Sequence, residues 1–249
     1  MEYLEFQRKI AQIKEMGYIQ SHRKGPTGIG KTLEDLLGIT ENNIAGPDFA
    51  IYELKTGRKD SVSMITLFTK APMPVNANKK LLEMFGYMQR KVSREYKQLS
   101  LTGEEIGESK IPITDKELHT TVDALKPNSV GLKLGVRENR LYIENDKNVE
   151  AYWDNTTLME AFEQKYHKLV YVLADPKIEG GKEYFWYNEA FLLDGFSFKR
   201  FSELVIEGKL KVDIRIGHYP DGRLHDHGTG FRILPKYLPQ CFITIERIL

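Results

Sequence analysis

Apolar residues recur at helical spacing over residues 2–16, where Tyr3, Phe6, Ile10 and Ile13 share one face. The pattern predicts an amphipathic helix. A basic, glycine-containing loop follows from Ser21 to Gly30, and a short helix is expected from Lys31 to Leu37, stopped by Gly38. The pattern then changes to strands near 49–56 and 62–69, separated by the polar turn Gly57-Arg58-Lys59-Asp60-Ser61. Helical spacing returns over 76–88, with Leu81, Leu82, Met84, Phe85 and Met88 inside. Leu132, Leu134 and Val136, then Leu141 and Ile143, predict a hairpin turning near Glu138-Asn139. A helix is expected over 156–166 and a buried strand over Leu169 to Ala174. A strand with Phe185, Tyr187 and Phe191 pairs with it across the Gly180-Gly181 turn, and a helix near 200–207 precedes the last unit. There Val212, Ile214 and Ile216 alternate with Lys211, Asp213 and Arg215, so one strand face is apolar and the other charged. The mixture predicts an α+β fold around a central sheet.

Composition narrows the classes. The 249 residues make one large domain or two lobes, and a hydrophobic fraction of 41% suffices for a core. The net charge is +1, so any nucleic-acid binding has to come from local basic patches. Cys241 is the single cysteine, which excludes an internal disulfide and a multi-cysteine zinc site. Met1-Glu2-Tyr3 does not open a signal peptide, and no apolar stretch reaches the length of a membrane span. A soluble cytoplasmic protein is expected.

The chemistry concentrates in Pro47-Asp48-Phe49-Ala50-Ile51-Tyr52-Glu53-Leu54-Lys55. Glu53 and Lys55 are two apart on a strand and so point to one face. Asp48 precedes the strand, where a bend can turn it toward Glu53. Two converging carboxylates are a hard-oxygen site for Mg²⁺, and an ammonium beside them can hold a phosphate oxygen or a water. Metal-assisted phosphodiester hydrolysis needs that set. A structural ion pair on a half-exposed strand is the plainer alternative. The bare charge pattern arises by accident in about half of chains this long, so the apolar residues between the charges carry the weight.

A second motif competes. Gly25-Pro26-Thr27-Gly28-Ile29-Gly30-Lys31-Thr32 matches the P-loop string, and Leu169 to Ala174 followed by Asp175 looks like its acidic partner strand. A nucleotide hydrolase would use Lys31, Thr32 and Asp175. The P-loop must however leave a buried parallel strand, and His22-Arg23-Lys24 is polar. Pro26 also lacks an amide donor. The remaining readings are a plain basic loop, or a loop whose glycine amides, His22, Arg23, Lys24 and Lys31 grip a DNA phosphate.

Gly28-Ile29-Gly30, Leu33 to Gly38, Pro47-Asp48-Phe49 and Glu53-Leu54-Lys55-Thr56 together resemble the active-site segment of the MutH-like nucleases of the PD-(D/E)XK class, and among them the MvaI/BcnI type II restriction endonucleases. The tail from Arg223 to Arg232 is similar to their recognition part. The resemblance implies a restriction-endonuclease-like fold, a mixed central sheet flanked by helices, with two lobes around a DNA cleft. Residues 1–165 would form the catalytic lobe and 166–249 the recognition lobe. It places Glu34, Asp48, Glu53 and Lys55 as catalytic residues. Asp48, Glu53 and the carbonyl of Leu54 would ligate Mg²⁺, with Mn²⁺ able to substitute. Lys55 would orient the attacking water, and Glu34 would serve as an outer or second-metal carboxylate. The implied reaction is cleavage of double-stranded DNA by a monomer, leaving 5′-phosphates and needing no nucleotide. A partner-activated nicking enzyme of the MutH type is the related alternative. The spacing from Asp48 to Glu53 is shorter than that type has.

Sequence reading requires donors and acceptors aimed at base edges. Arginine suits guanine and a carboxylate suits cytosine N4. Asp213, Arg215, His218, Arg223, His225, His227 and Arg232 offer that alphabet on a ribbon, and Arg58 and Lys59 add cations after the carboxylate strand. A G·C-rich target fits, and the resemblance implies a CC-N-GG pseudopalindrome. The alternatives are a solvated hairpin or a zinc site on His218, His225 and His227, which lack a cysteine partner. His22, His119 and His167 have no spacing that asks for more than surface or core roles, His22 in the loop aside.

Overall fold

The computed structural model describes residues 1–39, 49–91, 95–99, 105–110, 113–166, 168–219 and 223–249, with the backbone alone for 89–91, 95–99, 105–110 and 113–115. The chain opens with helix α1 (Tyr3–Glu15), a short strand β1 (Ile19–Gln20) and helix α2 (Gly28–Leu37). Strands β2 (Glu53–Arg58) and β3 (Ile65–Thr69) precede helix α3 (Ala77–Phe85). Then come β4 (Tyr87–Lys91), β5 (Glu95–Leu99), β6 (Glu105–Lys110), β7 (Ile113–Val122), β8 (Lys133–Arg137), β9 (Arg140–Glu144) and β10 (Tyr152–Asp154). Helix α4 (Asn155–Lys165) leads into β11 (Leu169–Glu179), β12 (Lys182–Phe196), helix α5 (Phe198–Ile206) and β13 (Leu210–His218). The last elements are β14 (Leu224–Asp226), β15 (Gly230–Ile233), a 3-10 helix (Pro235–Cys241) and β16 (Phe242–Arg247).

The central sheet runs β1-β12-β11-β2, with β16 also on β12. β2 and β11 are parallel, and the other pairs are antiparallel. Along β11, Val170, Val172 and Ala174 pack under α1 and α2 against Phe6, Ile10, Ile29 and Leu33. Leu169, Tyr171 and Leu173 face the larger core beneath. A strand covered on both faces is apolar throughout, which is why 169–174 reads as an unbroken run. The hairpin to β12 closes on Gly180 and Gly181, whose φ angles of 57° and 73° are those of a tight two-residue turn.

A second sheet, antiparallel, runs β3-β15-β13-β7-β4, with β14 on β13. Val212, Ile214, Ile216, Leu118, Val122 and Phe231 turn its inner face into the same large core, together with Phe162 of α4 and Phe201 of α5. β8, β9 and β10 form a three-stranded sheet, and β5 and β6 a ribbon. Helices and two packed sheets give the α+β architecture expected.

Two expectations change. α2 starts at Gly28 rather than Lys31. A Cβ on Gly28 would sit 2.3 Å from the carbonyl oxygen of Arg23, so glycine lets the basic loop fold onto the helix start. β2 runs on through Gly57 to Arg58, so the turn is shorter than Gly57–Ser61, and it crosses to β3 in the other sheet. Strands from either side of residue 165 share the two large sheets: β2 pairs with β11, β7 with β13 and β3 with β15.

Candidate active site

β2 presents two charges beside the apolar run of β11. Glu53 and Lys55 stand in register with Leu169 and Tyr171 of β11, on the face opposite Leu54, which is buried under α1 and α2. Lys55 Nζ lies 2.6 Å from Glu53 Oε1, and the two side chains are 29% and 27% exposed. A pair so placed is reachable from solvent yet held by a rigid strand. Gly57 continues this face. A Cβ there would lie 2.3 Å from the Tyr171 hydroxyl, which donates to the carbonyl of Pro235 at 3.2 Å. The end of β2 is thereby packed down against the 3-10 helix.

Tyr166 forms the floor beside the pair. Its hydroxyl donates to the carbonyl of Leu67 at 2.7 Å, and Lys55 Nζ lies 6.0 Å from the ring centroid. Burial, then the Glu53 carboxylate, pushes the Tyr166 phenol well above its ordinary range, so it stays neutral. Lys165, at the end of α4, has its Nζ 5.8 Å from the same ring. Burial of its stem lowers the Lys165 pKa, the Lys55 ammonium lowers it further, and Glu53 opposes them. Neither Tyr166 nor Lys165 is visible in a strand-and-charge pattern; both come from a helix distant in sequence.

Glu34 is half-buried on α2. Its Oε1 and the Thr56 hydroxyl both approach the point where a Cβ on Gly30 would stand, at 3.9 and 3.5 Å. It therefore sits beside β2 on the helix side, next to the neighbour of Lys55. Asp48 lies outside the described residues, and so does His167. Among the described residues no group of three or more His, Cys, Asp or Glu gathers as a metal cluster. The Glu53 carboxylate and the Leu54 carbonyl are hard oxygen donors, which fit Mg²⁺ in kind.

The P-loop string does not build a phosphate cradle. β1 before it is a two-residue edge strand, antiparallel to β12. The Thr32 hydroxyl is buried, accepting from the His22 amide and donating to the Gly28 carbonyl, both at 2.8 Å. Lys31 Nζ pairs with Asp35 at 2.8 Å, and His22 Nδ1 reaches the other oxygen of Asp35 at 2.9 Å. Hydrogen bonds from Lys31 and His22 hold the Asp35 carboxyl below its usual range. Asp175 accepts from the Asn188 amide at 2.6 Å. His22, Arg23 and Lys24 remain at the surface.

Arg58 and Lys59 are engaged inside the protein. Arg58 makes two bonds to Glu183, at 2.8 and 3.0 Å, and stacks on Phe185 with its guanidinium 5.0 Å from the ring. Lys59 lies between Asp175 and Glu189 at 3.6 and 3.5 Å. The charges needed to balance them come from β11 and β12, which a local reading of 57–61 does not reveal.

The outer face of the second sheet carries the C-terminal cluster, with one correction. Asp213 is buried, not displayed. Its carboxylate accepts from Thr121 at 2.6 Å, Arg232 at 2.6 Å and Arg215 at 2.8 Å. Burial alone would raise its pKa; the bonds from Thr121, Arg232 and Arg215 outweigh it and hold the carboxyl below the ordinary range. Arg232 spends its other amine on the Met64 carbonyl at 2.8 Å, whereas Arg215 stays half-exposed. His225 Nε2 and His227 Nδ1 face each other at 3.1 Å, so they are hydrogen-bonded rather than aimed at a common ion. Tyr219 packs on His225, with ring centroids 4.2 Å apart, and the Arg223 guanidinium covers Tyr219 at 5.4 Å. His218 falls on the opposite face of β13 from Arg215. His119, expected to do nothing special, pairs in register with Arg215, and its ring centroid is 6.2 Å from that of His227. The alternation of Glu117, His119 and Thr121 along β7 was the sequence signal for it.

Three comparisons bear on this arrangement. The sequence profile of the MvaI/BcnI restriction endonuclease family matches residues 7–242. A solved complex of restriction endonuclease MvaI with cognate DNA substrate is similar over 100% of this chain and 100% of that chain, at 30% identity and a TM-score of 0.63. Restriction endonuclease MvaI in the absence of DNA is similar over 100% of this chain and 98% of that one, at 30% identity and a TM-score of 0.61. No curated protein matches the chain by sequence.

Proposed function

The chain belongs to the MvaI/BcnI restriction endonuclease family, and from that premise we propose that Glu53 and Lys55 hydrolyse a phosphodiester of double-stranded DNA. It is a type II restriction endonuclease. The observation that carries the site assignment is the Glu53–Lys55 contact of 2.6 Å, open to solvent at the start of an edge strand parallel to the buried β11. Glu53, the Leu54 carbonyl and Asp48 would hold Mg²⁺, which supplies charge stabilisation at the scissile phosphate. Lys55, held by Glu53, would orient or help deprotonate the attacking water. Glu34, on the α2 side of β2, would serve as an outer or second-metal carboxylate.

Recognition is assigned to the outer face of the second sheet. Arg215, fixed by Asp213, is built to donate twice to a guanine edge. His225, His227 and Arg223 extend that surface, with His119 beside it. His22, Arg23 and Lys24 are placed to contact backbone phosphates. A short G·C-rich target of the CC-N-GG type suits these donors, and the DNA named in the similar MvaI complex supports a DNA substrate. We assign the active form to a monomer. The test is a plasmid digest with Mg²⁺ and no nucleotide, followed by sequencing of the ends. Discrete fragments sharing one end sequence are expected. Intact plasmid, or nicking alone, would shift the reading to an enzyme that needs a partner.

A further inference from the structure

We propose that Lys165 is a further substrate-binding residue of this active site, holding a phosphate oxygen of the cut DNA strand beside Glu53 and Lys55. The proposal rests on the nuclease reading above and adds a residue to it. Two ammonium groups share one aromatic floor: Lys55 Nζ is 6.0 Å and Lys165 Nζ 5.8 Å from the centroid of Tyr166, which puts them at most roughly 12 Å apart. The floor is fixed, because Tyr166 is buried and its hydroxyl is tied to the carbonyl of Leu67. Lys55 has a carboxylate in Glu53. Among the described residues no carboxylate pairs with Lys165, which leaves one uncompensated positive charge among the three. Lys165 is exposed, so solvent and a DNA strand can reach it.

Two like charges over one ring repel in the empty protein. A phosphodiester entering between them removes that repulsion and gains from both. The position at the end of α4 also suits a cation, since the last carbonyls of a helix carry partial negative charge. That role alone would need no neighbour in the active site, and the two roles separate experimentally.

The test compares the wild-type enzyme with Lys165→Ala and Lys165→Arg on a duplex bearing the site recovered from the plasmid digest. Single-turnover cleavage is measured with Mg²⁺, and binding against salt with Ca²⁺ in its place. Lys165→Ala is expected to cut about 10- to 100-fold more slowly. Its slope of log affinity against log salt should shrink by about 1, as loss of one phosphate contact requires. Lys165→Arg, still a cation, should recover most of both. A Lys165→Ala enzyme with wild-type rate and slope overturns the proposal, and so does one that only melts earlier. In either case the wild-type enzyme still cuts, so the nuclease reading survives; failure of that reading would appear as an inactive wild type.

Discussion

Glu53 and Lys55 carry opposite charges at bonding distance, an arrangement that also occurs where it serves only structure. Magnitudes separate the roles. A partly exposed pair contributes about 0–1 kcal/mol to stability. A group that stabilises charge at the scissile phosphate is worth about 10²–10³ in rate. Glu53→Gln and Lys55→Ala should therefore lose cleavage by at least about that factor, while their melting curves stay near wild type. Variants that unfold early yet cut normally per folded molecule would return the pair to a structural role. Asp213 is the reverse case, a buried carboxylate held by three bonds, two from Arg215 and Arg232 and one from Thr121. Its folded pKa is lowered, so its contribution is complete above the unfolded value of about 4 and is lost as pH falls through the folded value. Asp213→Asn should cost about 2–3 kcal/mol at pH 7. Urea titrations of wild type and variant should converge as the pH falls through the lowered folded value; a gap independent of pH would mean that the carboxylate charge is not what Arg215 and Arg232 require.

At the level of elements, legibility followed the period of the pattern. α1, α4 and the β8–β9 hairpin were readable because each buries one face and leaves the other polar. β11 was readable because both its faces are covered. The spacing of Glu53 and Lys55 fixed their common face, as β2 shows. What stayed hidden were partners far along the chain: Glu183 for Arg58, Thr121 and Arg232 for Asp213, Tyr166 for Lys55. The role of Gly57 was hidden for the same reason, since the atom it makes room for belongs to Tyr171. Gly57→Ala would drive a methyl into that hydroxyl and push β2 off β11. Overpacking of this kind costs about 1–3 kcal/mol. Urea unfolding should show that loss, and Gly57→Ala combined with Tyr171→Phe should recover part of it by removing the obstructing oxygen. No recovery in the double variant would place the constraint on Gly57 elsewhere, with the Pro235 ring as the next contact.

Across the whole molecule, the sheets tie together parts of the chain that a division at residue 165 would separate. β2 has β11 as its partner in the central sheet, and β7 and β3 are joined through β13 and β15. Phe68, Phe162, Phe201 and Phe231, drawn from both sides of that point, pack their rings together in the large core. A fragment of residues 1–165 would expose the β11-facing edge of β2 and the inner faces of β3 and β7 at once. Unpaired edges and bare apolar faces of that kind do not persist in water. The fragment expressed alone is expected to lack a cooperative thermal transition and to aggregate. Mixing it with residues 166–249 should restore both the transition and cleavage, because the missing strands are then supplied. A fragment 1–165 that melts cooperatively by itself would show a self-sufficient catalytic lobe. Otherwise the two parts of the chain form one folding unit, and a substitution on the outer face of the second sheet would be felt at Glu53 through the core that both sheets share.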